Sequence, residues 1–172
     1  MMETIATLLA FLVGALALVR YYSRKQVTFL LIGCGFLGAA ILDLNHVVGT
    51  IPAILGARID ADPRILRESM YAWTWTAGRV YLSLFLFVSL LAWRQEVREG
   101  AGDTIPEASV YVTALLLTVS NLLFFDYIPL TSIQNPDWLV SRPTEMIPAA
   151  FFALAFAGFY RKGSWRRDQF EH

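Results

Sequence analysis

Apolar residues dominate five stretches of the chain, and polar residues gather between them. The stretches are Thr4–Tyr22, Val27–Val48, Ser69–Trp93, Pro106–Phe125 and Glu145–Tyr160. A helix needs about 20 predominantly apolar residues to cross the hydrocarbon core of a bilayer. The fifth stretch is short of that, although Met146–Tyr160 is apolar throughout. The pattern predicts an all-α integral membrane helical bundle of about five transmembrane helices, residues 1–160. A basic juxtamembrane tail follows at 161–172. The five stretches use most of the chain, so no soluble domain of useful size is expected.

The polar segments set the loops and the orientation. Gly49–Glu68 carries Pro52, Gly56, Asp60, Asp62 and Pro63 and reads as a turn-rich loop. Pro suits a first helical turn, so Pro52–Leu55 is expected to open a short interfacial helix. Asp126–Thr144, with Pro129, Asn135, Pro136 and Pro143, reads as a second loop. Of the 14 Lys and Arg residues, nine fall in the first and third connections and the tail. Four fall on the other side (Arg58, Arg64, Arg67 and Arg142), and Arg79 lies within a stretch. Basic loops stay in the cytoplasm, which predicts an external N-terminus and a cytoplasmic C-terminus. The first four residues contain Glu3 and no basic residue, so the first stretch is read as a retained span rather than a cleaved leader. Tyr21, Tyr22, Trp93, Tyr160 and Trp165 fall at one set of span ends, and Tyr71, Trp73, Trp75, Tyr127 and Trp138 at the other. Aromatic residues at these levels anchor spans in the headgroup layer.

Composition agrees with a membrane protein. The chain is 56% hydrophobic and 16% charged, against about 25% charged in soluble domains. A net charge of zero gives no support to nucleic-acid binding. The single cysteine, Cys34, lies in a span, which leaves no disulfide framework and no CxxC pattern.

Against this background the ionisable residues inside the spans stand out. The segment Gly33–Val48, GCGFLGAAILDLNHVV, holds Asp43, Asn45 and His46. A charge near the middle of a span costs about 3 kcal/mol or more, so such residues usually face protein. At about 100° per residue, Gly35, Ala39, Leu42, Asp43 and His46 share about one third of the helix circumference. Small residues on that face admit a close neighbour, and the polar pair then points at it. The third stretch carries Arg79 in a stripe with Ala72, Thr76 and Ser83. Its available counter-charges are Asp43, Asp126 and Glu145, and Asp43 and Arg79 are expected to pair or lie close. Asn121 falls a little over one turn before Asp126. Glu145 precedes Ala149, Ala153 and Ala157 at i+4 steps, an expected packing face. Pro143 and Pro148 bracket Glu145, so the fifth helix is expected to begin between Pro143 and Glu145.

Asp43, His46, Arg79, Asn121, Asp126 and Glu145 therefore come from four spans and all fall toward the external side. Two readings stand side by side. One is a polar pocket that binds a small ligand, an ion or a proton. The other is a network of ion pairs that fixes helix register. Metal chemistry has weak support: Asp43 and His46 at i, i+3 supply two ligands, and Glu145 or Asp126 would have to join them. Two histidines on opposite sides do not make a bis-histidine haem site within one chain. There is no phosphate-binding glycine loop, no GxSxG and no HExxH. No nucleophile–base pair is visible, and an enzyme is not expected.

Three segments resemble a known family. They are Phe29–Val48 with its Leu-Asp-Leu-x-His core, Trp75–Phe87 with its intramembrane Arg, and Ser141–His172. They resemble the bacterial membrane-associated sensor (MASE-type) domains, the multi-span input modules of histidine kinases and diguanylate cyclases. The resemblance covers about half the chain. It implies a sensing core containing Asp43, His46, Arg79 and Glu145, a homodimer, a bacterial inner-membrane location and a cytoplasmic kinase or cyclase output, fused or separate. It implies no particular ligand or cofactor. The chain departs from the family at Asn45, where an aliphatic residue is more usual, and at its end, where relatives continue into further spans and an output domain. The expectation is an input module cut from a longer protein or a stand-alone relative.

The expected function is thus a membrane-embedded sensory input, with lipid as its surroundings. A small transporter or channel is a rival, but below Ser83 the third stretch reads LFLFVSLLAW, which offers no polar through-path. A redox or quinone-binding membrane subunit is a second rival, weakened by the single histidine within the spans.

Overall fold

A computed structural model describes residues 2–49, 63–99, 105–127 and 145–162, with side chains at 4–48, 75–98, 105–124 and 145–161. The described residues form helices α1 (Met2–Arg24), α2 (Val27–Gly49), α3 (Pro63–Glu99), α4 (Glu107–Tyr127) and α5 (Met146–Lys162). The architecture is all-α, as the hydropathy pattern predicts. Four helices are long and apolar enough to cross a membrane. The fifth has 17 residues, or about 26 Å at 1.5 Å per residue, which is shorter than a full span.

Helix α2 is central. It packs against α1, α3 and α4, while α5 packs on α3. Within the apolar segments, 61% of α2 is buried, compared with 22% of α1 and 17% of α4. The core joins Leu30, Leu31, Cys34, Ala39 and Leu42 of α2 to Tyr81 and Phe85 of α3. Val110 and Ala114 of α4 close the other side. Outside this core, α1 exposes Leu8, Leu9, Leu12 and Leu16, and α4 exposes Leu115, Leu116 and Leu123. Such leucine faces suit lipid.

The helices approach closely at glycines. A Cβ on Gly33 would meet the Leu18 side chain at 2.6 Å and the carbonyl oxygen of Gly14 at 3.2 Å, so α1 and α2 touch nearly backbone to backbone. A Cβ on Gly38 would fall on the ring of Tyr81. That ring stacks on Phe85, with centroids 4.7 Å apart.

Only Lys25 and Gln26 separate α1 from α2. Lys25 has φ of 52°, the left-handed conformation that ends many helices. Its N–H donates to the carbonyl of Tyr21 at 2.6 Å, which closes the last turn of α1. The start of α2 is capped from another helix. Glu96 of α3 accepts from Val27 N–H at 2.6 Å and from the Thr28 hydroxyl at 2.8 Å. A carboxylate there satisfies a free donor and suits the positive end of the helix dipole. Replacing Glu96 with Ala is expected to lower the unfolding free energy by about 2 kcal/mol, measured by denaturant titration in detergent. An unchanged midpoint would show that this cap contributes nothing.

Two expectations need correction. The loop expected over Gly49–Glu68 is helical from Pro63 onward, because Pro fits the first turn of a helix and the polar residues after it extend α3 beyond its apolar part. The expected packing face of α5 is turned outward: Ala149, Ala153 and Ala157 are exposed. The buried face is instead Pro148, Ala155 and Gly158, because α5 docks on α3 through aromatic contacts. These are Phe151 with Phe87 (5.3 Å between centroids) and Phe159 with Trp93 (6.5 Å). The α-helix runs from Met146 and is preceded by a 3-10 turn at Glu145, while residues 143 and 144 lie outside the described residues. The expected interfacial helix at Pro52–Leu55, most of the second loop and the tail beyond Lys162 lie outside the described residues.

Candidate functional site

The face of α2 read from its periodicity is turned inward. Gly35, Ala39, Leu42 and His46 are buried, and Asp43 is half-buried. This face lies on α3. A Cβ on Gly78 would sit 2.8 Å from Oδ1 of Asp43, so the carboxylate rests over the backbone next to Arg79. A methyl at this position would oblige the carboxylate to move. On α3, Thr76 and Ser83 are buried and Arg79 is half-buried. Asp43 thus meets α3 on the side of Gly78, Tyr81 and Phe85, while Thr76, Arg79 and Ser83 fall on the side of α3 that carries Phe87 and Leu90, toward α5.

Arg79 lies four residues inside the apolar segment Trp75–Arg98. Its guanidinium turns back along its own helix, 3.0 Å from the centroid of the Trp75 ring. It also donates to the Trp75 carbonyl at 3.4 Å. An arginine over an indole face gains a cation–π interaction, which is stronger away from water.

The other candidates are placed less closely. Asn121 is half-buried on α4 and donates to the Leu117 carbonyl at 2.8 Å, a bond within its own helix. Glu145 is half-buried. Counting back along α3 and α5 from the two aromatic contacts brings Glu145 level with Arg79 to Tyr81. The side chain of Asp126 lies outside the described residues. Among the described residues no three His, Cys, Asp or Glu side chains gather in a way that could hold a metal ion, so Asp43, His46 and Glu145 do not form a ligand set.

A buried hydroxyl pair lies next to this region. The Tyr81 hydroxyl donates to the Ala114 carbonyl at 3.2 Å. The Thr118 hydroxyl lies 3.2 Å from the Tyr81 oxygen and 2.8 Å from the Ala114 carbonyl. A threonine has one proton, so it serves one of these acceptors at a time. This is the polar link between α3 and α4, whose direct packing is slight.

Sequence reasoning missed a second polar cluster at the opposite end, around the α1–α2 turn. Glu107, in the first turn of α4, accepts from the Tyr21 hydroxyl at 3.0 Å and the Tyr22 hydroxyl at 2.9 Å. Lys25 Nζ is 3.9 Å from the same carboxylate and lies over both tyrosine rings. The Tyr22 and Tyr111 hydroxyls are 3.0 Å apart. Tyr22 spends its proton on Glu107, so Tyr111 is the donor to Tyr22. The sequence reads Tyr21 and Tyr22 as headgroup anchors. Their convergence is set by the two-residue turn and by Pro106 at the start of α4, and neither signals a partner by itself.

No protein-family model, curated protein or solved structure matches this chain.

Proposed function

We propose that this chain is a membrane-embedded sensory input module, related to the membrane-associated sensor domains that three of its segments resemble. In this reading the N-terminus is external, the C-terminus is cytoplasmic and the membrane is a bacterial inner membrane. The region around Asp43, His46, Arg79, Asn121, Asp126 and Glu145 receives a small ligand, an ion or a proton. The helices then shift, and the movement reaches a cytoplasmic kinase or cyclase, fused or separate. Two copies are expected to act together, since two-fold pairing is the commonest assembly.

One observation carries the reading. The central helix holds the buried His46 one turn from Asp43, and the half-buried Asp43 carboxylate rests against Gly78 of α3, next to Arg79 at the edge of the apolar zone. Ionisable groups at such a level are costly, and they accumulate where a pathway or a sensing site needs them. For a signal to result, the ligand must bind one helix arrangement better than the other.

The test compares the purified wild type with His46→Ala by absorption spectrum, elemental analysis and native mass. A stoichiometric small molecule or ion, present in the wild type and lost in the variant, is the expected result. An empty wild type with an equally stable variant would leave only the register-fixing role for this region.

A further inference from the structure

Among the described side chains at the α1–α2 turn end of the bundle, the carboxylates of Glu96 and Glu107 are used internally, while four arginines are not. Glu96 is taken up by the start of α2, and Glu107 by Tyr21, Tyr22 and Lys25. Arg24, Arg94, Arg98 and Arg161 are exposed. Among the described residues these four form no ion pair. They come from α1, α3 and α5, and they form one rim. Glu96, between Arg94 and Arg98, touches Val27 and Thr28, just past Arg24. Trp93, next to Arg94, meets Phe159, two residues before Arg161.

The height of the rim is also set. Apolar segments end at Arg24, Arg98 and Arg161. In a bilayer that level is the headgroup layer. Directly inward, the surface is apolar and exposed: Leu16 and Val19 of α1, Leu91 of α3 and Phe156 of α5.

We propose that this rim docks the headgroups of anionic phospholipids, with their acyl chains lying along the exposed apolar faces beneath it. A guanidinium meets phosphate oxygens through two parallel hydrogen bonds. A free phosphate or a soluble polyanion would engage the charge alone, while a lipid engages the charge and the apolar face together. This favours the lipid. The inference is independent of any sensing role at the opposite end.

The test places the purified full chain in nanodiscs of equimolar phosphatidylglycerol and phosphatidylcholine and counts retained lipids by native mass spectrometry. The expected result is enrichment of phosphatidylglycerol over its bulk share. Each arginine replaced by Gln should lower the retained phosphatidylglycerol-to-phosphatidylcholine ratio by up to about fivefold, from about 1 kcal/mol per charge at an anionic surface. The quadruple variant Arg24→Gln, Arg94→Gln, Arg98→Gln, Arg161→Gln should show no preference. If it does not fold, the paired variants R24Q/R94Q and R98Q/R161Q report the same loss in part. A salt titration of the wild type gives a reading without mutation, since screening must erode the enrichment. Equal retention of the two lipids by the wild type would overturn the proposal. So would enrichment indifferent to salt, or displacement of the lipid by millimolar inorganic phosphate, which would make the rim a site for a free anion.

Discussion

Gly38→Ala will destabilise the bundle by about 3 kcal/mol, as much as the loss of a large core side chain. The added methyl falls on the ring of Tyr81. A free tyrosine would swing away. This one is held by its hydroxyl to the Ala114 carbonyl and to Thr118, and by stacking on Phe85. Moving the ring breaks buried hydrogen bonds, and leaving it in place overpacks the α2–α3 contact. Each cost is about 1–3 kcal/mol. The measurement is a denaturant titration in detergent of Gly38→Ala, Tyr81→Leu and the double variant. Because the methyl and the ring compete for one space, the double variant should be more stable than the summed single effects imply, by at least about 1 kcal/mol. Additive losses would show that Gly38 and Tyr81 do not share that space.

The second large effect is expected at Glu107. This carboxylate ties the start of α4 to the α1–α2 turn through two tyrosine hydroxyls and Lys25. Magnitudes decide which partner matters. The Lys25 side chain is 62% exposed, so its ion pair at 3.9 Å contributes less than about 1 kcal/mol. The tyrosine hydroxyls donate to a charged acceptor, a type of bond with a net contribution of about 1.5–3 kcal/mol, lower where water competes, as at Tyr22. Glu107→Ala should therefore cost about 2 kcal/mol, and Lys25→Ala less than half as much. Hydrogen exchange localises the effect: amides in the first turns of α4 should lose protection in Glu107→Ala. Equal losses in the two variants would mean that the ion pair, not the tyrosine pair, holds α4 in place.

The hydropathy pattern made the spanning parts legible because lipid demands long apolar runs whatever their neighbours are. Thr4–Tyr22, Val27–Val48 and Pro106–Phe125 match α1, α2 and α4 to within a few residues. The same pattern stops at the membrane surface. Arg64, Arg67 and Glu68 look like loop by hydropathy, yet they continue α3, since helix geometry is indifferent to polarity once Pro63 has started it. The inward face of α2 was readable because Gly35, Ala39, Asp43 and His46 recur at helical spacing. The outward placement of Ala149, Ala153 and Ala157 was not. A helix that packs on one neighbour buries a single face, and in α5 the aromatics Phe151 and Phe159 choose it. Glu96 and Glu107 escaped notice for a related reason. Their partners lie more than 60 residues away in sequence, and only the three-dimensional path of the chain brings them together.

Helix α3 has 37 residues, about 56 Å at 1.5 Å per residue, while the hydrocarbon core of a bilayer is about 30 Å thick. Tyr81 stands midway along it, where Gly38 lets α2 come closest to the ring and Ala114 accepts its hydroxyl. Its C-terminal half is held as well, by Glu96 at the start of α2 and by Phe87 and Trp93 against α5. A tilt of about 10° about Tyr81 would carry each tip sideways by about 5 Å, close to the pitch of one helical turn. Such a tilt cannot be made by α3 alone; it would have to carry α2 and α5 with it.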